Sequence, residues 1–349
     1  MDRDKLEALR ADYSNAAPGY ARDPEFRKVA EAIFAGSDRR PKPYEGVTTL
    51  LGAPLRLDAA QRDDLGGLDL VLVGVPLDLG VTNRTGARLG PRSVRAAERI
   101  GPYHHVHRIA PFTAVKAGDV GDVPFRSRFS LSESHADIEA FFRRVAAAGA
   151  VPLSVGGDHS MSYPILKALG ADRPVGMVHI DAHCDTSGPY EGEKFHHGGP
   201  FRQAVLDGVL DPERTIQIGI RGGAEYLWDF SYASGMTVIH ADELARLGTA
   251  AVVERVRQVV GGGPVYISFD IDSLDPAFAP GTGTPEAGGL TTREAMEVLR
   301  GCAGLQVIGG DVVEVAPQYD PTTNTAQAAA QMLFEIAAVA AISKSGPKG

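Results

Sequence analysis

The sequence predicts an α/β protein built on a mostly parallel sheet of about eight strands. After residue 67, short runs of apolar and β-branched residues alternate with stretches that have helical spacing. Strands that are apolar on both faces and alternate with helices form parallel sheets covered on both sides. The 41 glycines cluster at the ends of the apolar runs, as short strand-to-helix loops require.

The elements follow one another in a single alternation. The predicted strands lie at 68–75, 113–116, 151–155, 175–180, 215–220, 237–239, 264–269 and 305–315. Between or after them, helical spacing predicts helices at 136–148, 161–169, 249–260, 292–299 and 325–341. Because the alternation is continuous, we expect residues 67–349 to form a single domain.

The first 66 residues consist of loop-like and polar segments and lack the regular alternation of apolar runs found later in the chain. They predict an N-terminal arm that wraps the main body or a neighbouring subunit. Within it, short helices are expected at 2–10 and 24–34, and the segment 36–46 is predicted to be an extended connector.

Composition narrows the classes of function. The chain is 44% hydrophobic and 23% charged, which is typical of a soluble globular protein. Its net charge of −9 argues against nucleic acid or an anionic membrane as a partner. Two cysteines, Cys184 and Cys302, make no disulfide framework. The first residues form no apolar signal segment, and no run approaches the ~18 residues of a membrane span. We therefore expect a cytoplasmic protein.

Three metal-ligating side chains follow the predicted strand 175–180. Asp181, His183 and Asp185 occupy every second position of "DAHCD". Alternate positions of a strand point to the same side, so these side chains are expected to converge. Charges packed this closely resist desolvation unless a cation neutralises them. A solvated polar strand end is the alternative reading of this segment alone.

Two further strand ends carry the same kinds of residue. His159 follows the strand 151–155 within "GGDHS", and Asp270 and Asp272 follow 264–269 within "DIDSLDP". Ligands of parallel α/β sheets bind beyond the carboxyl ends of the strands, where these motifs fall. Asp158 and Ser160 are expected to support the loop.

Six oxygen and nitrogen ligands exceed what one metal ion needs, so two ions that share bridging carboxylates are predicted. Hard ligands favour Mn²⁺ first and Ni²⁺ next, while Co²⁺ and Zn²⁺ also accept this mixture. Two such ions lower the pKa of a bridging water, which predicts metal-assisted hydrolysis.

With these motifs in place, the sequence resembles the ureohydrolases, the family of arginase, agmatinase and related guanidino hydrolases. The matching segments are "GGDHS", "DAHCD", "SFDIDSLDPAFAPGTGTPEAGGL", "GARLGPRSVR" and "DVVEVAPQYD". The resemblance covers residues 68–342. It implies the three-layer arginase fold, assembly into homo-oligomers (trimers or hexamers), and hydrolysis of a small guanidino compound to urea and an amine.

The resemblance also implies roles for individual residues. One metal would be held by His159, Asp181, Asp185 and Asp270, and the other by Asp181, His183, Asp270 and Asp272, so that Asp181 and Asp270 bridge.

Three catalytic roles are implied as well. Asp185 would help to move a proton, and Glu314 of "DVVEV" would grip the substrate guanidinium. His197 of "FHHGGPF" would be the proton shuttle, with His196 as the adjacent competitor.

The substrate tail is less constrained. The loop "TSGPYEGEKFH" lacks the Asn/Ser/Thr-rich pattern of family members that act on arginine, which disfavours arginine. "HHGGPF" departs from the "HGTxF" of many agmatinases. By resemblance, this departure and the arm favour the branch acting on small guanidines, guanidino acids or biguanides. Tyr190 and Trp228 either wall a small pocket or serve as core or interface aromatics.

Two other classes of function stay open at this point. One is an amide deacetylase on a related fold, which would keep a single metal site. The other is a non-catalytic subunit that assembles with an active paralogous subunit.

Overall fold

Eight strands form one fully parallel sheet in the order β2-β1-β3-β8-β7-β4-β5-β6. The computed structural model describes residues 1–34, 42, 44–61, 65, 67–97, 100–222 and 225–346. The strands are β1 Leu70–Val75, β2 Ala117–Asp122, β3 Val151–Gly156, β4 Val175–Ile180, β5 Leu210–Ile220, β6 Thr237–His240, β7 Pro264–Asp270 and β8 Gln306–Val313. The predicted α/β class is confirmed.

Helices cover both faces of this sheet and produce three layers. The α-helices are α1 Arg3–Tyr13, α2 Pro24–Phe34, α3 Leu57–Gln61, α4 Gly90–Arg95, α5 Pro111–Ala114, α6 Leu131–Ala147, α7 Ser162–Leu169, α8 Pro200–Leu206, α9 Asp229–Ser234, α10 Ala241–Leu247, α11 Thr249–Val260, α12 Thr292–Gly301 and α13 Asn324–Ser345. One apolar core lies under α6, α7 and α8, and the other lies under α11, α12 and α13.

The strand predicted at 113–116 is wrong. Residues Pro111–Ala114 form α5, and the strand follows at Ala117–Asp122. Pro at the first turn suits a helix, because its missing N–H has no partner there in any case. The strand itself reads AGDVGD and lies at the edge of the sheet, so it lacks the apolar signature of the central strands.

Helix α13 has the length and apolar composition of a membrane span. The sequence predicted no segment of this kind, because no uninterrupted apolar run is long enough to span a membrane. Most of the helix, 83% of its most apolar window, is buried within the protein. Its side chains belong to the core shared with α11 and α12, as in a core helix of a globular domain.

The N-terminal arm contains both predicted helices, α1 and α2, and neither has a buried residue. Phe26 of α2 meets the ring of Tyr103 edge-on, with ring centres 5.5 Å apart. The predicted connector at 36–46 lies largely outside the described residues. The division at residue 66 and the contact with a neighbouring subunit stay predictions.

The order of the central strands positions the site. β3, β8, β7 and β4 are consecutive neighbours and run in the same direction. Asp270 pairs with Val313, while Phe269 pairs with Ile180, so three of these strands end at nearly the same level. The residues that follow them therefore meet at one rim of the sheet.

Candidate active site

The first cluster of site residues surrounds the imidazole of His159. Its Nδ1 lies 2.9 Å from Asp185 Oδ2. The same nitrogen lies 3.2 Å from Asp181 Oδ2 and 3.2 Å from Asp270 Oδ2. All four residues are buried. The rim of the sheet thus brings together the predicted first ligand set.

The second cluster surrounds His183. Its Nδ1 lies 3.2 Å from Asp272 Oδ2 and 3.5 Å from Asp181 Oδ1. Asp181 therefore contributes one carboxylate oxygen to each cluster, as the resemblance implied. The Oδ1 atoms of Asp181 and Asp270 each also accept a backbone hydrogen bond, from the His183 N–H at 2.7 Å and from the Asp272 N–H at 2.8 Å.

His179 is a site residue that the sequence reasoning missed. It precedes Asp181 by two positions on β4 and donates from Nε2 to Asp181 Oδ2 at 2.7 Å. Its Nδ1 accepts from Gln217 Nε2 at 3.1 Å, which assigns the proton to Nε2. His179 also lies close enough to group with His159 and Asp181 around an ion, but this tautomer makes it a support of Asp181. The sequence signal that could have identified His179 is its position two residues before Asp181, in the same alternation as Asp181 and His183.

A series of buried hydrogen bonds supports His159 through its other ring nitrogen, Nε2. His159 Nε2 lies 2.8 Å from Ser268 Oγ, and Ser268 donates to Asp311 Oδ1 at 2.7 Å. Asp311 Oδ2 accepts further bonds from Ser162 and Tyr266. Because Nε2 is occupied in this way, the lone pair of His159 Nδ1 faces the carboxylates.

Two acidic residues of the site adopt left-handed backbone conformations. Asp185 has φ 52° and Glu314 has φ 63°. A non-glycine residue pays a conformational penalty there, and such outliers cluster at functional sites. The conformation turns Glu314 out of β8 immediately after the strand ends, where its Oε1 accepts from the His159 N–H at 2.8 Å.

His197 lies between Glu314 and Thr82. Its Nδ1 lies 3.0 Å from Glu314 Oε1, and its Nε2 lies 2.7 Å from Thr82 Oγ1. Burial lowers the pKa of His197, but the charge and hydrogen bond of Glu314, together with the charges of Asp185 and Asp158, raise the pKa to about 9.

His196 instead donates from Nε2 to Gly188 O at 2.8 Å and packs over the glycine pair. A Cβ added at Gly199 would lie 3.2 Å from His196 Nε2 and 3.0 Å from Ser187 O. A side chain at position 199 would therefore be crowded by the Ser187 carbonyl and by the imidazole of His196. Glycine stands here at the position where "HGTxF" has threonine.

The loop after β1 reaches the site through Gly80. Its N–H donates to Asp158 Oδ2 at 2.8 Å, and its carbonyl accepts from the His197 N–H at 2.8 Å. Asp158 also accepts from the Ser160 N–H at 3.0 Å. The sequence reasoning did not identify this loop as part of the site, because its contacts are long-range.

Arg221 holds together the loops around the second cluster through hydrogen bonds to their carbonyls. Its guanidinium donates over 2.7–3.3 Å to the carbonyls of Gly219, Asp272, Ser273, Glu286 and Ala287. The side chain of Glu286 lies nearby, with Oε1 3.6 Å from His183 Nε2. The loops that carry Asp272 and Glu286 are thus held to the end of β5.

A cavity of about 810 Å³ opens onto these residues. The residues that line it include His183, Asp185, Asp270, Asp272 and His197. Tyr190, Tyr226 and Trp228 also line it, so both aromatic residues singled out in the sequence border the pocket. Trp228 donates from Nε1 to Gly222 O at 3.2 Å, which orients its ring.

The donor set fits divalent cations. His159 Nδ1 is buried and makes no hydrogen bond to any described residue. Burial, together with Asp272 and Asp181, raises the pKa of Asp270 well above its usual value. Four buried carboxylates facing two imidazoles are stable as anions only when positive charge compensates them. Carboxylate and imidazole ligands suit divalent first-row metals.

Comparison with known proteins identifies one family. The family profile described as "Arginase family" matches residues 68–338. Guanidinopropionase of Pseudomonas aeruginosa is 48% identical over 306 residues, which cover 86% of this chain and 96% of that protein. Mitochondrial agmatinase of Gallus gallus is 47% identical over 340 residues, which cover 95% of each chain.

A solved structure agrees in fold as well. Proclavaminate amidino hydrolase from Streptomyces clavuligerus has a TM-score of 0.82 at 34% identity. The match covers 87% of this chain and 100% of that chain.

Proposed function

The chain belongs to the arginase family, and on that premise we propose that it hydrolyses a small guanidino compound at the rim of β3, β4, β7 and β8. Hydrolysis of a guanidino compound to urea and an amine is the activity its relatives indicate. The proposed location of the active site rests on the convergence of three carboxylates on His159 Nδ1. The nearby cavity gives a small molecule access to them.

The arginase-family fold implies a binuclear divalent metal centre. We propose that His159, Asp181, Asp185 and Asp270 hold one ion and that Asp181, His183, Asp270 and Asp272 hold the other. The two oxygens of Asp181, directed to different clusters, support this assignment. Hard carboxylate oxygens favour Mn²⁺ first and Ni²⁺ second.

When bound, two divalent ions supply a water-derived nucleophile at neutral pH and offset the charge of the carboxylates. The chain's own residues must then orient the guanidinium and manage protons. Glu314 Oε2 is buried and accepts no hydrogen bond from the described residues, so it is available to a guanidinium N–H. His197 holds a proton beside Glu314 and is assigned as the shuttle. Asp185 is assigned to guide the proton of the nucleophile.

The substrate is proposed to have a short tail. Guanidinopropionase and agmatinase resemble the chain to the same degree, so identity does not separate an acidic tail from an amino tail. The aromatic side chains of Tyr190, Tyr226 and Trp228 flank the pocket and suit a compact substrate. The family membership disfavours an amide deacetylase, and the intact set of six ligand residues disfavours a non-catalytic subunit.

One experiment tests the proposal. The purified protein is analysed for metal content and assayed for release of urea and amine. The panel contains guanidine, dimethylguanidine, agmatine, 4-guanidinobutyrate, 3-guanidinopropionate, arginine and metformin, with an acetylated amine as the control for deacetylation. We expect two ions per chain and urea release from at least one small guanidine. Release of acetate alone would contradict the proposal.

Variants at Asp270 locate the activity. Asp270→Asn keeps the shape of the side chain but removes a charge that is unfavourable without metal. We expect the metal-free variant to melt at or above the wild-type temperature, to gain no stability from Mn²⁺ or Ni²⁺, and to release no urea. Wild-type activity in this variant would contradict the assignment. We further propose a cytoplasmic homo-oligomer, a trimer or hexamer, which light scattering would test.

A further inference from the structure

We propose that the hydroxyl of Thr82 relays protons between His197 and the substrate pocket. This proposal rests on the proposed function, because it concerns how the assigned shuttle reaches the reacting molecule. Thr82 lies in the loop after β1, 115 residues from His197 in the sequence. Nothing in the motifs around His197 points to it.

The first step concerns access to the imidazole. His197 is 7% exposed, and both ring nitrogens are engaged by protein atoms. Nδ1 faces the buried carboxylate of Glu314, so a proton on Nδ1 is held inward. We therefore assign the exchange of protons with the pocket to Nε2, the nitrogen that faces Thr82.

The second step concerns what Nε2 meets. Thr82 Oγ1 lies 2.7 Å from Nε2, and the Thr82 N–H donates to the same nitrogen at 3.2 Å. In the neutral imidazole, the backbone donor requires a lone pair on Nε2 and therefore places the hydrogen on Nδ1. In the imidazolium, Nε2 carries a hydrogen as well, and the Thr82 hydroxyl is the acceptor within reach. The hydroxyl can accept as well as donate, so it alone of these two groups can take a proton from Nε2.

The third step concerns the other side of the hydroxyl. Thr82 is exposed, and it lines the same cavity as Asp185 and Asp270. The hydroxyl therefore lies between a nearly enclosed imidazole and the space that the substrate occupies. Its position is fixed because Gly80, two residues earlier, accepts from the His197 N–H at 2.8 Å.

The transfer balances without any further reactant. The Nε2–H bond of the imidazolium breaks as its proton passes to Thr82 Oγ1, while the original hydroxyl proton passes to the departing amine nitrogen. The imidazole becomes neutral, the threonine hydroxyl is restored, and the amine leaves as an ammonium ion. A solvent proton then returns to Nε2 by the reverse route.

The test compares Thr82→Val, which keeps the shape without the hydroxyl, with Thr82→Ser, which keeps the hydroxyl. Thr85→Val is the matched control, because its backbone carbonyl, not its hydroxyl, is the bonded group. All variants are assayed with the substrate that wild type cleaves fastest, and their metal content is measured.

We expect Thr82→Val to lower kcat by about 10–100-fold, which is at or below the lower end of the ~10²–10⁴-fold typical of general acid–base catalysis, while KM and metal content stay within about twofold. Imidazole added as an external proton carrier should raise kcat of Thr82→Val in a concentration-dependent way. Thr82→Ser and Thr85→Val should remain within a few-fold of wild type and gain nothing from imidazole.

Two results would overturn the relay. One is a Thr82→Val variant with wild-type kcat, and the other is a loss of kcat that imidazole does not restore, which would leave Thr82 only an orienting role. Absence of urea release by wild type itself would instead contradict the proposed function, so the two failures are distinguishable.

Discussion

The imidazole of His179 donates from Nε2 to Asp181 Oδ2 over 2.7 Å, from two positions earlier on the same face of β4. The strand alternation that aims Asp181 at the rim also places this support directly beneath it. Asp181 is the residue whose two oxygens face different clusters, so its orientation matters to both.

Replacement of His179 by glutamine should weaken metal binding. Loss of a group that orients a metal ligand typically costs about 10–100-fold in metal affinity. The measurement is titration of Mn²⁺ or Ni²⁺ into metal-free protein. His104→Gln is the control, because His104 is also buried and pairs with a carboxylate, Glu335, outside the site. Equal affinity in both variants would refute the role of His179.

Arg221→Ala should reduce occupancy of the second metal position. The substitution removes the donors that hold Asp272 and Glu286 through their carbonyls, so the loop that carries Asp272 loses its anchor. Arg214→Ala is the matched control, since Arg214 donates to the carbonyls of Val260 and Pro264 at the opposite ends of the strands.

Elemental analysis and thermal melting distinguish these two arginines. Both variants should melt at a lower temperature, because charge-assisted hydrogen bonds are lost. Only Arg221→Ala should approach one ion per chain. If Arg214→Ala loses metal to the same extent, the loss of metal reflects general destabilisation of the protein. The proposed role of Arg221 in holding the Asp272 loop would then be wrong.

Glu314 should make the stability of the metal-free protein depend on alkaline pH. The folded pKa of His197 is raised to about 9, above the ~6.5 of an unfolded chain. The resulting stabilisation is complete below about pH 6.5 and is lost as pH rises through 9. Urea denaturation across this window should show the loss in wild type and a smaller loss in Glu314→Gln, in which Asp185 and Asp158 remain. Parallel curves for the two proteins would contradict this coupling.

The fit between His196 and Gly199 predicts a compensating pair of substitutions. Gly199→Thr should destabilise the protein by about 1–3 kcal/mol, because the new side chain meets the imidazole and the Ser187 carbonyl. Adding His196→Ala should recover part of this loss, because the Ser187 carbonyl remains in place. Chemical denaturation of the two single variants and the double variant measures the coupling, and strict additivity would show that the two positions do not compete for space.

Much of the site could be predicted because its residues lie next to strong strand signals. Asp181, His183 and Asp185 follow a buried run at period 2, and Asp270 and Asp272 repeat that spacing. The edge strand Ala117–Asp122 was mislocated because glycine and aspartate hide its pattern.

Local pattern thus specifies which side chains follow each strand. It does not specify their direction, because β4 ends at Ile180, Asp185 has a left-handed backbone, and Asp272 lies in a 3₁₀ turn. Folding alone establishes which strands adjoin. The tertiary structure places β3, β8, β7 and β4 side by side. It also brings Thr82 into contact with His197, Arg221 with Asp272, and Gly199 with His196. Such pairs depend on loop closure and packing across the sheet, which no spacing along the chain encodes.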